Sequence, residues 1–142
     1  MTGGARLAGL VAVWIGLAAC GSGPKLSNLR CRNAAKCQHP EDPFRLLLAV
    51  DFDDPTGTLD KGALDLRVSG NTQNSVSIRD LFKLQNLAAG ATHGTLDIDD
   101  EVVLDRVQQN QQFTVSLLAT NGAGQGSNEP KLTFTLHLGS SP

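Results

Sequence analysis

The chain has 142 residues, a size for one domain behind a leader, with 12 basic and 14 acidic residues and a formal charge of −2 at pH 7. No run of lysine or arginine forms a stripe that could track phosphates, which argues against a nucleic-acid partner. One tryptophan and no tyrosine leave little for a sugar-stacking platform.

Residues 1–19 read as a signal rather than as part of the fold. Arg6 supplies the positive end, Leu7 to Leu17 is an apolar run, and Leu17-Ala18-Ala19-Cys20 closes it with small residues. At about 1.5 Å per residue the run falls well short of a hydrocarbon layer about 30 Å thick, so it is an h-region and not a stable span. The plainer alternative is a short buried helix followed by an ordinary cysteine, but no later segment offers a helical layer to pack on it. Leu17-Ala18-Ala19-Cys20 resembles the lipobox of bacterial lipoproteins, and the resemblance implies that Cys20 is lipidated and becomes the mature N-terminus. Several acyl chains on one residue anchor durably where a single chain does not. Gly21 stands where an aspartate retains many such lipoproteins at the inner membrane. By that analogy the expected address is the outer membrane of a Gram-negative host. Residues 20–24 are then the lipidated cysteine and a short tether, and 25–142 the domain. Trp14 leaves with the signal, and loss of Arg6 takes the formal charge to −3.

Pro24 to Cys31, with Leu26 and Leu29, reads as a short edge strand. Cys31 and Cys37 follow. In an oxidising compartment two spare cysteines of a small domain are expected to pair, closing a short loop. The alternatives are two free thiols, or a metal site with His39 and Glu41 whose spacing is not that of a standard zinc site. His39-Pro40-Glu41-Asp42-Pro43 predicts a turn. Leu46, Leu48, Val50 and Phe52 then alternate with residues that include Leu47 and Ala49, the pattern of a central strand. Asp53 to Thr58 ends it. Leu64, Leu66 and Val68 predict the next strand, 70–74 a turn, and Val76 and Ile78 a short strand. Leu81, Leu84 and Leu87 lie three apart, which predicts one helical turn with Asp80 as its cap. Leu96 and Ile98 predict a strand, Asp99-Asp100-Glu101 a turn, and 102–107 a brief strand or run-in. Phe113, Val115 and Leu117, then Leu132, Phe134, Leu136 and Leu138, predict an antiparallel hairpin around the glycine-rich stretch 121–130.

Seven or so short strands with turn signals between them, and no helix long enough to form a layer, predict an all-β sandwich. Two stretches, Phe44 to Val68 and Phe113 to Leu138, resemble the second-to-third and sixth-to-seventh strand units of bacterial immunoglobulin-like modules. The resemblance implies an immunoglobulin-like sandwich of about seven antiparallel strands. The chain lacks the core tryptophan and corner tyrosine of antibody-type domains, so its core is expected to be aliphatic.

Two acidic clusters stand out: Asp51, Asp53, Asp54 and Asp60, and Asp97, Asp99, Asp100 and Glu101. Crowded carboxylates beside a turn suit a hard cation such as calcium. The first cluster departs from the standard loop, with Gly57 one place late and no glutamate at the twelfth position. The plainer reading is solvated turn aspartates. Gly122 to Ser127 superficially matches a phosphate-cradling loop, but a proline and a strand follow where that mechanism needs a helix. His39, His93 and His137 lie in no nucleophile or metal-ligand pattern, so neither an enzyme nor a bound cofactor is expected. The remaining expectation is a protein-interaction or structural module, anchored to a bacterial membrane and meeting another envelope protein. The runner-up is a small-ligand- or calcium-binding lipoprotein that uses the acidic loops.

Overall fold

The computed structural model describes residues 23–33, 36–69, 71–102 and 111–136. Its centre is β3 (Asp42–Asp53), twelve residues long. Alternation puts Leu46, Leu48, Val50 and Phe52 on the buried face, and Ala49 on the other face is buried as well. β6 (His93–Glu101) pairs along one edge of β3, from Arg45↔Glu101 to Asp53↔His93. β1 (Lys25–Cys31) and the two-residue β2 (Gln38–His39) pair with successive parts of the other edge. The second sheet runs β5-β4-β7-β8, with β4 at Ala63–Val68, β5 at Asn71–Ser77, β7 at Gln112–Thr120 and β8 at Lys131–Thr135. All pairings are antiparallel. The chain crosses between sheets after β3, β5 and β6, which gives the strand order of an immunoglobulin-like sandwich.

The two inner faces meet in one aliphatic core. Leu48, Val50, Leu96 and Ile98 come from the first sheet, and Leu64, Leu66, Val115 and Leu117 from the second. Each such side chain, fully buried, stabilises by about 1.5–3 kcal/mol, and together they replace the tryptophan anchor of antibody-type domains. At one end α1 (Ile78–Leu84) closes the core with Ile78, Leu81 and Phe82. The Phe82 ring lies 5.5 Å from that of Phe52. In the crossover from β3 to β4 a 3-10 turn at Leu59–Lys61 buries Leu59. Gly62 then passes so close to Thr120 that a Cβ would lie 1.7 Å from its carbonyl oxygen, a contact only glycine permits.

Several local expectations are corrected. The turn predicted over His39 to Pro43 shrinks to 40–41, and β3 already includes Asp42 and Pro43 at its start, where proline is tolerated. Ile78 opens the helix instead of ending a strand. Asp80 lies in the first helical turn, and Ser77 holds the N-cap position. Leu84 does not join Leu81 in the core but is 80 % exposed, because the helix buries Ile78, Leu81 and Phe82, spaced three and four apart. Asp99 to Glu101 form no turn; they continue β6. His137, Leu138 and residues 103–107 lie outside the described residues.

Candidate functional site: strand edges and end loops

A sandwich that meets a partner through backbone does so at its strand edges, and here the edges differ. On β1, Asn128 takes the place of a further strand. Its Oδ1 accepts the Leu26 amide proton at 2.8 Å, and its Nδ2 donates to the Leu26 carbonyl at 2.7 Å. On β6, Gln85 does the same to Asp97: Nε2 donates to the Asp97 carbonyl at 2.8 Å and Oε1 accepts its amide at 3.0 Å. Further along, Asn74 Nδ2 donates to the Glu101 carbonyl and to Asp100 Oδ1. Both outer strands of the first sheet are thus partly closed by side-chain amides, one way natural sheets keep an edge from recruiting another strand. These clamps were not foreseen from the sequence. A lone Asn or Gln near a turn carries no signal of the partner it reaches across the fold.

The second sheet is different. β5 pairs with β4 on one side only, and among the described residues no strand pairs its other side. Its sequence, Asn-Thr-Gln-Asn-Ser-Val-Ser, has no charged residue. The opposite edge, β8, carries Lys131. The outer face between them holds a network in which the Ser116 hydroxyl and the Arg67 guanidinium donate to Glu129 Oε1 at 2.7 and 3.0 Å. These bonds, led by the Ser116 hydroxyl, hold the Glu129 carboxyl below its ordinary range. They also bury Ser116, which alternation alone would leave wet.

The predicted acidic clusters do not converge. Asp51 accepts from Thr95 Oγ1 at 2.8 Å, Asn28 Nδ2 at 3.1 Å and Arg30 at 3.1 Å, and these bonds, Thr95 first, hold its carboxyl below the usual value. Asp53 is exposed at the end of β3. Asp54 is fully buried and accepts from the Thr56 amide and hydroxyl through Oδ1, while its Oδ2 has no hydrogen-bond partner. Asp60 is buried too, with Oδ1 unpartnered. In the second cluster the pleat of β6 separates the carboxylates. Asp97 faces Arg32 at 3.9 Å, and Asp99 takes a two-pronged contact from Arg45 that lowers its pKa. Asp100, by contrast, is raised by burial against the opposing pull of Asn74. Such cross-strand Arg–Asp pairs keep aspartates in a strand that their own propensity disfavours. Among the described residues no three His, Cys, Asp or Glu side chains are grouped to hold a metal ion.

Cys31 and Cys37 form a disulfide, Cα to Cα 4.5 Å. It joins the end of β1 to the start of β2, and on both sides of it the chain bonds to Leu47, through Arg32 N to Leu47 O and Leu47 N to Cys37 O. His39 is used locally, its Nδ1 accepting the Glu41 amide. His93 borders an open depression with Lys25, Phe52, Asp53 and Asn128. Cys20, the expected lipidation site, lies outside the described residues.

The end loops are tied together by Asn121. Its Oδ1 accepts the Ala123 and Gln125 amides, and its Nδ2 points to Gln125 Oε1, Thr56 Oγ1 and Asp54 Oδ1 at 3.0 to 3.5 Å. The glycine-rich stretch is therefore a hydrogen-bonded corner of a β-hairpin, and a strand, β8, follows it. Comparisons of the chain with family models, curated proteins and solved structures return no match.

Proposed function

We propose that this protein is a lipid-anchored envelope module that binds another protein by strand addition at β5. The observation that carries the reading is the contrast between edges. β1 and β6 are clamped by Asn128, Gln85 and Asn74, the last reaching over from β5 itself, whereas the main chain of β5, seven uncharged residues long, has one side unpaired among the described residues. A partner strand laid along such an edge gains main-chain hydrogen bonds, and alternate side chains give selectivity. The anchor is Cys20 by resemblance to a lipobox, and the outer membrane is the expected address. The disulfide is consistent with an oxidising compartment.

A photo-reactive residue at Thr72 on β5, activated in intact cells and followed by mass spectrometry, tests the interaction. The expected result is an adduct with one envelope protein, lost when Asn71→Lys and Ser75→Lys place cations on the edge while the melting temperature stays unchanged. Adducts that survive both lysines would remove β5 as the interface. The anchor has its own test: mass spectrometry of the mature N-terminus, where an unmodified terminus downstream of Cys20 would refute lipidation.

A second reading, a calcium- or small-ligand-binding lipoprotein, keeps one observation in its favour. Asp54 Oδ2 and Asp60 Oδ1 are buried carboxylate oxygens without a donor, both in the β3-to-β4 crossover. Uncompensated buried carboxylate oxygens are costly unless a cation or donor meets them.

A further inference from the structure

The tether places one particular end of the sandwich at the membrane. Gly23 packs on the β7-to-β8 loop, where a Cβ on Gly23 would lie 2.6 Å from the Gly126 carbonyl oxygen. That loop joins the β3-to-β4 crossover through Gly122 N to Thr58 O at 2.8 Å. The crossover in turn meets the α1-to-β6 loop through Asp54 N to Thr92 O at 2.7 Å, with Gly57 against Gly90. Three loops, 55–59, 86–92 and 121–128, therefore share the end from which residue 23 emerges. Only the links from Cys20 to Gly23 separate this end from the lipidated residue. At about 3.3–3.6 Å per residue they reach roughly 11 Å, so the end cannot leave the lipid surface. The far end of β3, with its twelve residues, is about 40 Å away.

The chemistry of that end matches its position. None of the residues in 55–59, 86–92 and 121–128 is Asp, Glu, Lys or Arg. Ala88, Ala89, Gly90, Ala123 and Gly124 are exposed there, with Leu84 at 80 % exposure beside them on α1. Charge begins only at the rim, with Lys25, Asp53 and Lys61. The opposite end carries Glu41, Asp42, Asp100 and Glu101. Anionic headgroups repel carboxylates within a Debye length, so a neutral face of small residues can rest on lipid where the acidic end cannot.

We infer that the end formed by loops 55–59, 86–92 and 121–128 docks on the lipid leaflet that holds the anchor, which leaves the acidic end pointing away from it and the β5 edge running along the side between the two ends. The inference rests on the lipid-anchor reading. It is tested with the full lipidated protein in vesicles of phosphatidylethanolamine and phosphatidylglycerol, carrying a fluorophore at Ala89 or, as the distal control, at Thr72. A contact quencher on the lipid headgroups is expected to quench the Ala89 label several-fold more than the Thr72 label. Ala88→Asp with Ala123→Asp, on exposed loop positions, should remove that difference while the protein still floats with the vesicles. Flotation with equal quenching at both labels overturns the docked end and leaves the anchor intact. That outcome includes a protein partner covering the loops. Failure to float after cellular expression overturns the anchor itself and the docking with it.

Discussion

Asn128 completes a strand rung on Leu26 across 102 residues of sequence, accepting its amide proton at 2.8 Å and donating to its carbonyl at 2.7 Å. One side chain from the β7-to-β8 loop thereby fixes the first strand of the first sheet. Leu26 is almost fully buried, so removing the amide leaves two backbone groups short of partners in a place where water cannot fully replace them. Asn128→Ala is expected to destabilise by about 1–3 kcal/mol. Residues 25–142 contain neither Trp nor Tyr, so urea unfolding of this domain should be followed by far-ultraviolet circular dichroism. A loss within error of zero would show that the clamp contributes nothing.

Two leucines, one from the alternating run of β3 and one from the helical run of α1, should behave oppositely. Leu48, fully buried mid-strand in β3, should lose about 2–5 kcal/mol on truncation to alanine. Leu84, 80 % exposed on α1, should change by no more than about 0.5 kcal/mol. Comparable losses at both would mean that α1 packs on its Leu84 side.

The disulfide closes a short loop, since Cys31 and Cys37 are six apart in sequence. Replacing both cysteines with serine should cost roughly 2 kcal/mol on the chain-entropy model. The sandwich should persist, because the bridge ties β1 to β2 along one edge of the first sheet and does not join the two facing sheets. Urea midpoints of the two proteins measure the loss, and two alkylatable thiols in the unreduced, denatured wild type would refute the pairing.

Acid should weaken the fold, and the carboxylates act with two signs. Asp51, Asp99 and Glu129 have folded pKa values below their ordinary ones. Their stabilisation is present above the unfolded values, about 3.9 to 4.3, and is lost as the pH falls through the lowered folded values. Asp100 is raised by burial, so its contribution is present below the unfolded value and lost as the pH rises through the folded one. Asp100→Asn keeps an oxygen for Asn74 and removes the buried charge. The variant should melt higher than wild type at pH 7, with the gap closing as the pH drops below about 4. A gap that widens on acidification would reverse the assigned sign.

Calcium separates the two functional readings. For the interaction module, melts in chelator and in millimolar calcium should coincide. A ligand bound only by the folded state raises stability by RT ln(1 + [L]/Kd). A calcium-dependent rise that disappears in Asp54→Asn with Asp60→Asn would favour the ion-binding reading, and both proteins must be compared with and without the ion.

The two-sheet fold was legible in the sequence because alternation is a local consequence of having one dry face. Leu46 to Phe52, Leu64 to Val68 and Phe113 to Leu117 each record that face residue by residue, whatever lies opposite. The pairing of Cys31 with Cys37 was legible because they are the two spare cysteines of a small domain expected in an oxidising compartment. Other features depended on residues far away in sequence. Asp99 to Glu101 look like a turn until Arg45 lies across the strand from Asp99. Ser116 looks wet until Glu129 covers it. Asp51 and Asp54 are neighbours in the chain, yet one faces Arg30 on the surface and the other is buried against Thr56. Which edge is clamped and which loops share the end from which residue 23 emerges follow from contacts made by Asn128, Gln85 and Gly23 with residues about a dozen to a hundred positions away, and no local period encodes those contacts.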